Sequence, residues 1–181
     1  RVFKKMKILV TGPHGSGKTT QAKLLAEYLA VPLIGTGDVL RALSKKNTKL
    51  GKKIKEVLDK GKLVDDVIAE GIVEERLSKS DCQGGFVTDG YPRSLHQIEL
   101  LDLKFDKVFY IDISDKEVLQ RLIKREREDD TPEVIAQRLR IYHEMTEPIL
   151  SYFKTLGILE RIDGVGEIDD IQARIREKAN G

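Results

Sequence analysis

"KILVTGPHGSGKTTQAKLLAEYLA", residues 7–30, contains the strand-to-helix turn that decides the fold. "KILVT" (7–11) is an apolar, β-branched run that stops at Gly12, as a buried strand should. From Thr19 onward Ala22, Leu25, Ala26 and Leu29 recur at helical spacing. Between them "GPHGSGKT" (12–19) fits G-x-x-x-x-G-K-[ST], with the strand before it and the helix after it that the motif requires. Its glycines let backbone N–H groups turn inward around phosphate oxygens, and the helix N-terminus points its positive end at the same place. Lys18 then has the reach for β- and γ-phosphates, and the Thr19 hydroxyl suits Mg²⁺. His14 reads as a spacer, because nothing pairs it with another ligand.

Outward from this turn, β-rich runs alternate with helical patterns. "PLIG" (32–35), "GFVTDG" (85–90), "KVFYIDI" (107–113) and "GILERI" (157–162) read as four more strands. Helical patterns cover 38–45, 49–60, 65–79, 94–101, 116–125 and 167–179, with one long helix from Pro132 to about Leu156. Ser114 and Glu117 have the spacing of a capping box. Five β runs each followed by helix imply an α/β fold, a five-stranded parallel sheet with helices on both faces. Ligands of such sheets bind at the carboxyl ends of the strands. With no repeat or low-complexity linker, residues 1–181 read as one domain.

The charge balance narrows the partners. Against 32 basic residues stand 30 acidic ones, a formal net charge of +2, so a general nucleic-acid binder is not expected. Cys82 is the single cysteine, which leaves no internal disulfide and no cysteine-based zinc site. A reduced, cytoplasmic setting follows as an expectation. No run reaches the roughly eighteen apolar residues of a membrane span. A homo-oligomer is left open.

Further chemistry sits in "LIGTGDVLRA" (33–42), "GKLVDD" (61–66), "FVTDGYPRSLHQ" (86–97) and "LIKREREDDTPEVIAQR" (122–138). Asp89 ends a strand beside the phosphate loop, where a carboxylate can hold Mg²⁺ through water. Gly90 and Pro92 force a tight turn that aims Arg93 into the cleft. Arg121 and Arg125 share a helix face, while Arg140 lies about 200° around the helix from Arg138 and is expected in solvent. Asp130 with Glu133, and Pro132 early in the helix, reads as a capping box. Asp129 reads as the partner of an arginine.

Together with the phosphate loop, these segments resemble the adenylate kinases, within the wider nucleoside monophosphate kinases. The resemblance runs from about Met6 to Lys178 and includes "RLRIYHEMTEPI" (138–149). It implies a P-loop three-layer sandwich with a helical monophosphate-binding insertion at 36–65. It implies ATP on Gly15, Ser16, Gly17, Lys18, Thr19, Thr20, Arg121, Arg125 and Gly166. AMP would lie on Thr36, Arg41, Lys62, Leu63, Val64, Gly90, Arg93, Gln97, Arg127 and Arg138. Lys18, Arg93, Arg125, Arg127 and Arg138 would be the catalytic clamp, with Mg²⁺ near Thr19 and, through water, Asp89.

The chemistry agrees with so many arginines. A monophosphate oxygen, with a second pKa of ~6, is already ionised near neutrality and needs no general base. It needs charge neutralisation and alignment, which the guanidinium fork supplies. Within the class, the "TGD" triplet favours AMP, and a UMP/CMP or broad monophosphate kinase is the alternative. More distant are a metabolite kinase using Asp38 as base and a P-loop ATPase.

Two departures from the family stand out. "KTT" replaces the usual "KGT", and one residue, Glu126, separates Arg125 from Arg127. The second implies a lid (126–131) cut to almost nothing, no zinc-bearing insert, and relaxed donor choice.

Overall fold

Ile8, Leu9 and Val10 are consecutive and all fully buried, which a strand allows only when both faces of its sheet are covered. Ile8 and Val10 pack with α1 (Lys18–Leu29) and α9 (Ile168–Asn180) in one core. Leu9 faces a second core with α4 (Asp66–Leu77) and α8 (Glu147–Thr155). These are the three layers of an α/β sandwich. The computed structural model describes residues 6–101, 103–125 and 130–181. Among them no helix is long and apolar enough to cross a membrane.

The sheet comprises β1 (Lys7–Thr11), β2 (Leu33–Gly35), β3 (Phe86–Asp89), β4 (Lys107–Asp112) and β5 (Leu159–Asp163). Every pairing is parallel, in the order β2-β3-β1-β4-β5. The chain therefore leaves β1 toward one edge and later leaves β3 toward the other. That reversal opens a crevice at the carboxyl ends of β1 and β3.

Around the sheet run α2 (Thr36–Ser44), α3 (Lys49–Asp59), α5 (Leu95–Leu101), α6 (Asp115–Arg125) and α7 (Pro132–Ile141). Local chemistry sets their ends. Thr48 caps α3 by accepting from Gly51 N, and Asp65 caps α4 by accepting from Val67 N. Ser114 accepts from Glu117 N, but the Glu117 carboxylate turns to Arg121, so only half of the expected capping box forms.

The expected long helix 132–156 forms as one continuous helical run, Pro132–Thr155, but not as a uniform α-helix. Tyr142–Thr146 forms a π turn between α7 and α8, with Glu147 N bonding Tyr142 O. Helical periodicity continues across it, which hides it from a pattern search.

His143, in this turn, lies 3.0 Å from Glu147 on its own helix and 3.0 Å from Asp115 at the start of α6. The Glu147 hydrogen bond raises its pKa above the usual 6.5, burial opposes that, and Asp115 adds to the rise, which remains the net effect. With the folded pKa raised, this stabilisation is complete below the unfolded value and is lost as pH rises through the folded one. Because the imidazole is 42% exposed, screening keeps the effect small. Wild type should therefore melt about 2 °C above His143→Gln at pH 6, and the gap should close by pH 9. A gap independent of pH would contradict the ion pairs.

Candidate active site

The cleft begins where β1 and β3 end side by side. Val10 pairs with Asp89, so the phosphate loop and the Asp89 carboxylate emerge at one level. Gly17, at φ 87°, takes the left-handed turn that starts α1. Thr19 Oγ1 donates to Asp89 Oδ2 at 2.6 Å. Asp89 Oδ1 and Ser16 Oγ are buried with no partner among the described residues. The Thr19 hydroxyl beside the unsatisfied Asp89 carboxylate oxygen is an oxygen-only donor set, and it fits Mg²⁺.

Lys18 Nζ donates to Pro13 O at 3.3 Å. Burial pushes its pKa down to about 8, with Arg93, Arg125 and Arg41 adding to the effect and Asp89 opposing it.

The turn after β3 fixes Arg93 by three bonds. Its Nε donates to Gly90 O at 2.6 Å, its backbone N donates to Gln97 Oε1 at 2.7 Å, and its carbonyl accepts from Thr146 Oγ1 at 2.9 Å. Gly90 has φ 62°, and a Cβ there would lie 3.1 Å from Lys18 Cε and 3.3 Å from Arg93 Nη2. The turn is thus closely fitted to both cations. Burial, then Arg41 and Arg138, lower the Arg93 pKa although Asp89 raises it. A guanidinium nonetheless stays charged.

Arg125 and Arg138 share one carboxylate. Arg125 Nε donates to Asp130 Oδ2 at 2.9 Å and Arg138 Nη1 to Asp130 Oδ1 at 2.7 Å, with the Asp130 side chain 1% exposed. This corrects the reading of Asp130 as a helix cap. The cap of α7 is Thr131, whose hydroxyl accepts from Val134 N at 3.3 Å. Both residue types cap well, and the adjacent hydroxyl leaves the full charge of Asp130 for the two cations. Arg140 is 64% exposed, on the other side of the helix, as its spacing implies. Arg127 and Asp129, with the rest of 126–129, lie outside the described residues.

The π turn completes this wall. Eight α-helical residues rotate by about 80° beyond two full turns. A uniform α-helix would therefore swing Thr146 away from Arg138. The wider π turn unwinds that offset, and Arg138, Tyr142 and Thr146 all line the cleft.

Beyond Arg93 lies a second pocket, lined by Thr36, Leu40, Leu58, Lys62, Leu63, Val64, Tyr91 and Gln97. Thr36 is buried and is the first residue of α2, after the cap Gly35, so it is not itself a cap. Gln97 donates to Asp66 Oδ1 at 2.7 Å while accepting from Arg93 N, which fixes its amide orientation. Arg41 lines the main cleft and is ion-paired with Asp38.

On the opposite side, Arg121 donates to Gly164 O at 2.9 Å and reaches the carbonyls of Gly15 and Ser16 at 3.5 Å. It ties the phosphate loop to the loop after β5. Thr20 and Arg121 line this half of the cleft. Gly166 stands apart, exposed on the β5 loop, with open space where a Cβ would be.

A family model described as adenylate kinase matches residues 10–158. The chain belongs to the adenylate kinase family. The adenylate kinase of Chelativorans sp. (strain BNC1) is 41% identical, over 94% of this chain and 96% of its own. That of Stenotrophomonas maltophilia (strain R551-3) is 40% identical, over 97% and 100%. The Archaeoglobus fulgidus adenylate kinase is 36% identical, over 94% and 96%.

For a chain of the adenylate kinase family, sequence reasoning missed three parts of this cleft. Helical spacing gives no sign of the π turn that brings Tyr142 and Thr146 to the cleft, and Asp130 reads as a backbone cap rather than as the partner of the arginines. The motif "DDTPE" contained the signal, since Thr131 stands one residue nearer Pro132 and fits the cap equally well.

Removing half of a buried ion cluster leaves uncompensated charge, at about 3–5 kcal/mol, whereas losing a cap costs about 1 kcal/mol. In denaturant unfolding, Asp130→Asn should destabilise by about 3 kcal/mol and Thr131→Val by about 1. Equal losses, or the reverse order, would restore the cap reading.

Proposed function

We propose that the chain transfers the γ-phosphoryl group of Mg·ATP to AMP, giving two ADP. The observation that carries this is the convergence of Lys18, Arg41, Arg93, Arg125 and Arg138 on one space between the phosphate loop and the Thr36–Gln97 pocket. Such a cluster suits two sets of phosphates meeting there. An oxygen of the AMP phosphate attacks the γ-phosphorus as the bond to the β–γ bridging oxygen breaks. No proton must be removed, because the nucleophile is already ionised.

Each residue has a definite task in this reading. Lys18 and the loop amides hold the donor's β- and γ-phosphates, and Arg93 and Arg41 hold the acceptor phosphate. Arg125 and Arg138, with Arg127 from the short lid, balance charge on the group in transit. Thr19 and, through water, Asp89 would hold Mg²⁺, which supplies further charge neutralisation on the donor phosphates. Thr36, Leu63, Val64 and Gln97 would enclose the acceptor base, with the Gln97 orientation set by Asp66. Residues 36–65 form the acceptor side and 126–131 the lid. A kinase acting on a hydroxyl would need a base, and Asp38, the candidate, is 79% exposed and occupied by Arg41.

A coupled assay tests the acceptor: Mg·ATP with AMP, CMP, UMP, GMP or no acceptor. Rapid ADP formation with AMP alone is expected; comparable turnover with no acceptor would overturn the reading. Arg93→Ala should lower kcat/KM by about 10³-fold with an unchanged circular-dichroism spectrum, from loss of both charge and alignment. Because a single residue separates Arg125 from Arg127 in the sequence and leaves little chain for a lid, kcat/KM for ATP and GTP should differ by less than about tenfold, below the discrimination a polar base-reading pocket gives. A larger preference for ATP would refute the loose donor site.

A further inference from the structure

His14 is the one histidine in the phosphate loop, and no part of the proposed mechanism uses it. Its side chain lines both halves of the cleft. On the acceptor side it shares the space with Arg93, Arg138 and Tyr142; on the donor side with Lys18, Thr19 and Asp89. Among the described residues its imidazole makes no hydrogen bond. An imidazole always carries at least one N–H to donate. Here the residue borders a cleft lined by cations, where an anion would be the natural acceptor.

We propose that His14 is a further phosphate contact, an imidazole that donates to the nucleotide phosphates gathered between Lys18, Arg93, Arg125 and Arg138. The proposal rests on the phosphotransferase reading above and assigns a role at that same site.

The surrounding charges make the contact dependent on its ligand. Facing His14 are Lys18 at the start of α1, Arg41 on α2, Lys62 before α4, and Arg93 after β3. Arg125 on α6, Arg138 on α7 and the Tyr142 phenol complete the ring. Among the described residues the counter-charges are Asp38 and Asp89, which line the donor half, and Asp130 bound between Arg125 and Arg138. In the free protein burial, then Lys18, Arg93, Arg138 and Arg125, hold the imidazole well below its usual 6.5. It is therefore neutral near pH 7, with one N–H.

Nucleotide phosphates reverse the local field. An anion within a few ångströms favours the imidazolium, so binding draws one proton from solvent onto His14. The second N–H it gains is a charge-assisted donor. The loop would thus add a cation when phosphates arrive and give it back when they leave. A free cleft already crowded with cations avoids one more.

The test is an NMR titration of the imidazole of His14 between pH 5 and 9, alone and with saturating metal-free ADP. The amides of Gly15 to Lys18 report binding separately. The proposal expects the His14 midpoint to rise by at least one unit with ADP. If those amides shift while His14 does not, the proposal falls and the kinase reading stands. If ADP moves neither, both fall.

Two variants separate contact from packing. His14→Ala should weaken ADP binding by about tenfold, the loss of one hydrogen bond to a charged group. His14→Gln keeps an N–H donor and should recover most of that loss, but it cannot titrate. The ratio of wild-type to His14→Gln kcat should then fall between pH 6 and pH 8.5, as the bound imidazolium deprotonates. Wild-type affinity in His14→Ala, or a ratio flat with pH, would overturn the proposal.

Discussion

Mutual repulsion among Lys18, Arg41, Arg93, Arg125 and Arg138 is the constraint to which the surrounding structure answers. Charges of one sign cannot be crowded in a half-buried cleft unless something holds them there. Asp130 holds two of them with one buried carboxylate. Arg93 is fixed instead by neutral groups, the carbonyl of Gly90, the amide of Gln97 and the hydroxyl of Thr146. These bonds set position without cancelling charge. Among the described residues the acidic groups thus counter only part of the positive charge. The resting cleft is poised for an anion: burial, then the field of the neighbouring cations, lowers the Lys18 and His14 pKa values, and a phosphate would relieve that field.

The sheet supplies the other half of this arrangement. Two parallel strands in fixed register deliver the phosphate loop and Asp89 to the same level, and the topology leaves a crevice between their ends. Neither feature involves a residue chosen for packing alone. Val10 is buried in the core while its pairing with Asp89 sets where the loop begins. The same hydrophobic alternation that builds the three layers therefore also aligns the chemistry.

Much of this was legible in the chain because strong local signals agreed with the fold. "KILVT" before a glycine-rich turn specifies a buried strand meeting a helix, and each of the five β runs became a parallel strand. What stayed hidden depends on partners distant in sequence. Asp130 and Thr131 are both good helix caps, and only the approach of Arg125 and Arg138 decides between them. Whether Gln97 is free or fixed depends on Asp66, thirty-one residues earlier. The π turn carries no signature residue, and the shift it makes in the apolar face is smaller than one helical step, which so few turns on either side do not reveal. His14 looks inert in a motif and becomes chemically distinct only where several elements bring cations around it.

The π turn at 142–146 has a consequence for how such a chain can change. Substitutions there alter one side chain at a time, but a deletion or insertion would rotate everything beyond it by about a full helical step, 100°. Thr146 would leave Arg93, and Ile149 and Phe153, now buried against the sheet, would turn toward solvent. A backbone irregularity has thereby become a phase reference shared by the cleft and the core. Length through this segment is under tighter constraint than the identity of most of its residues.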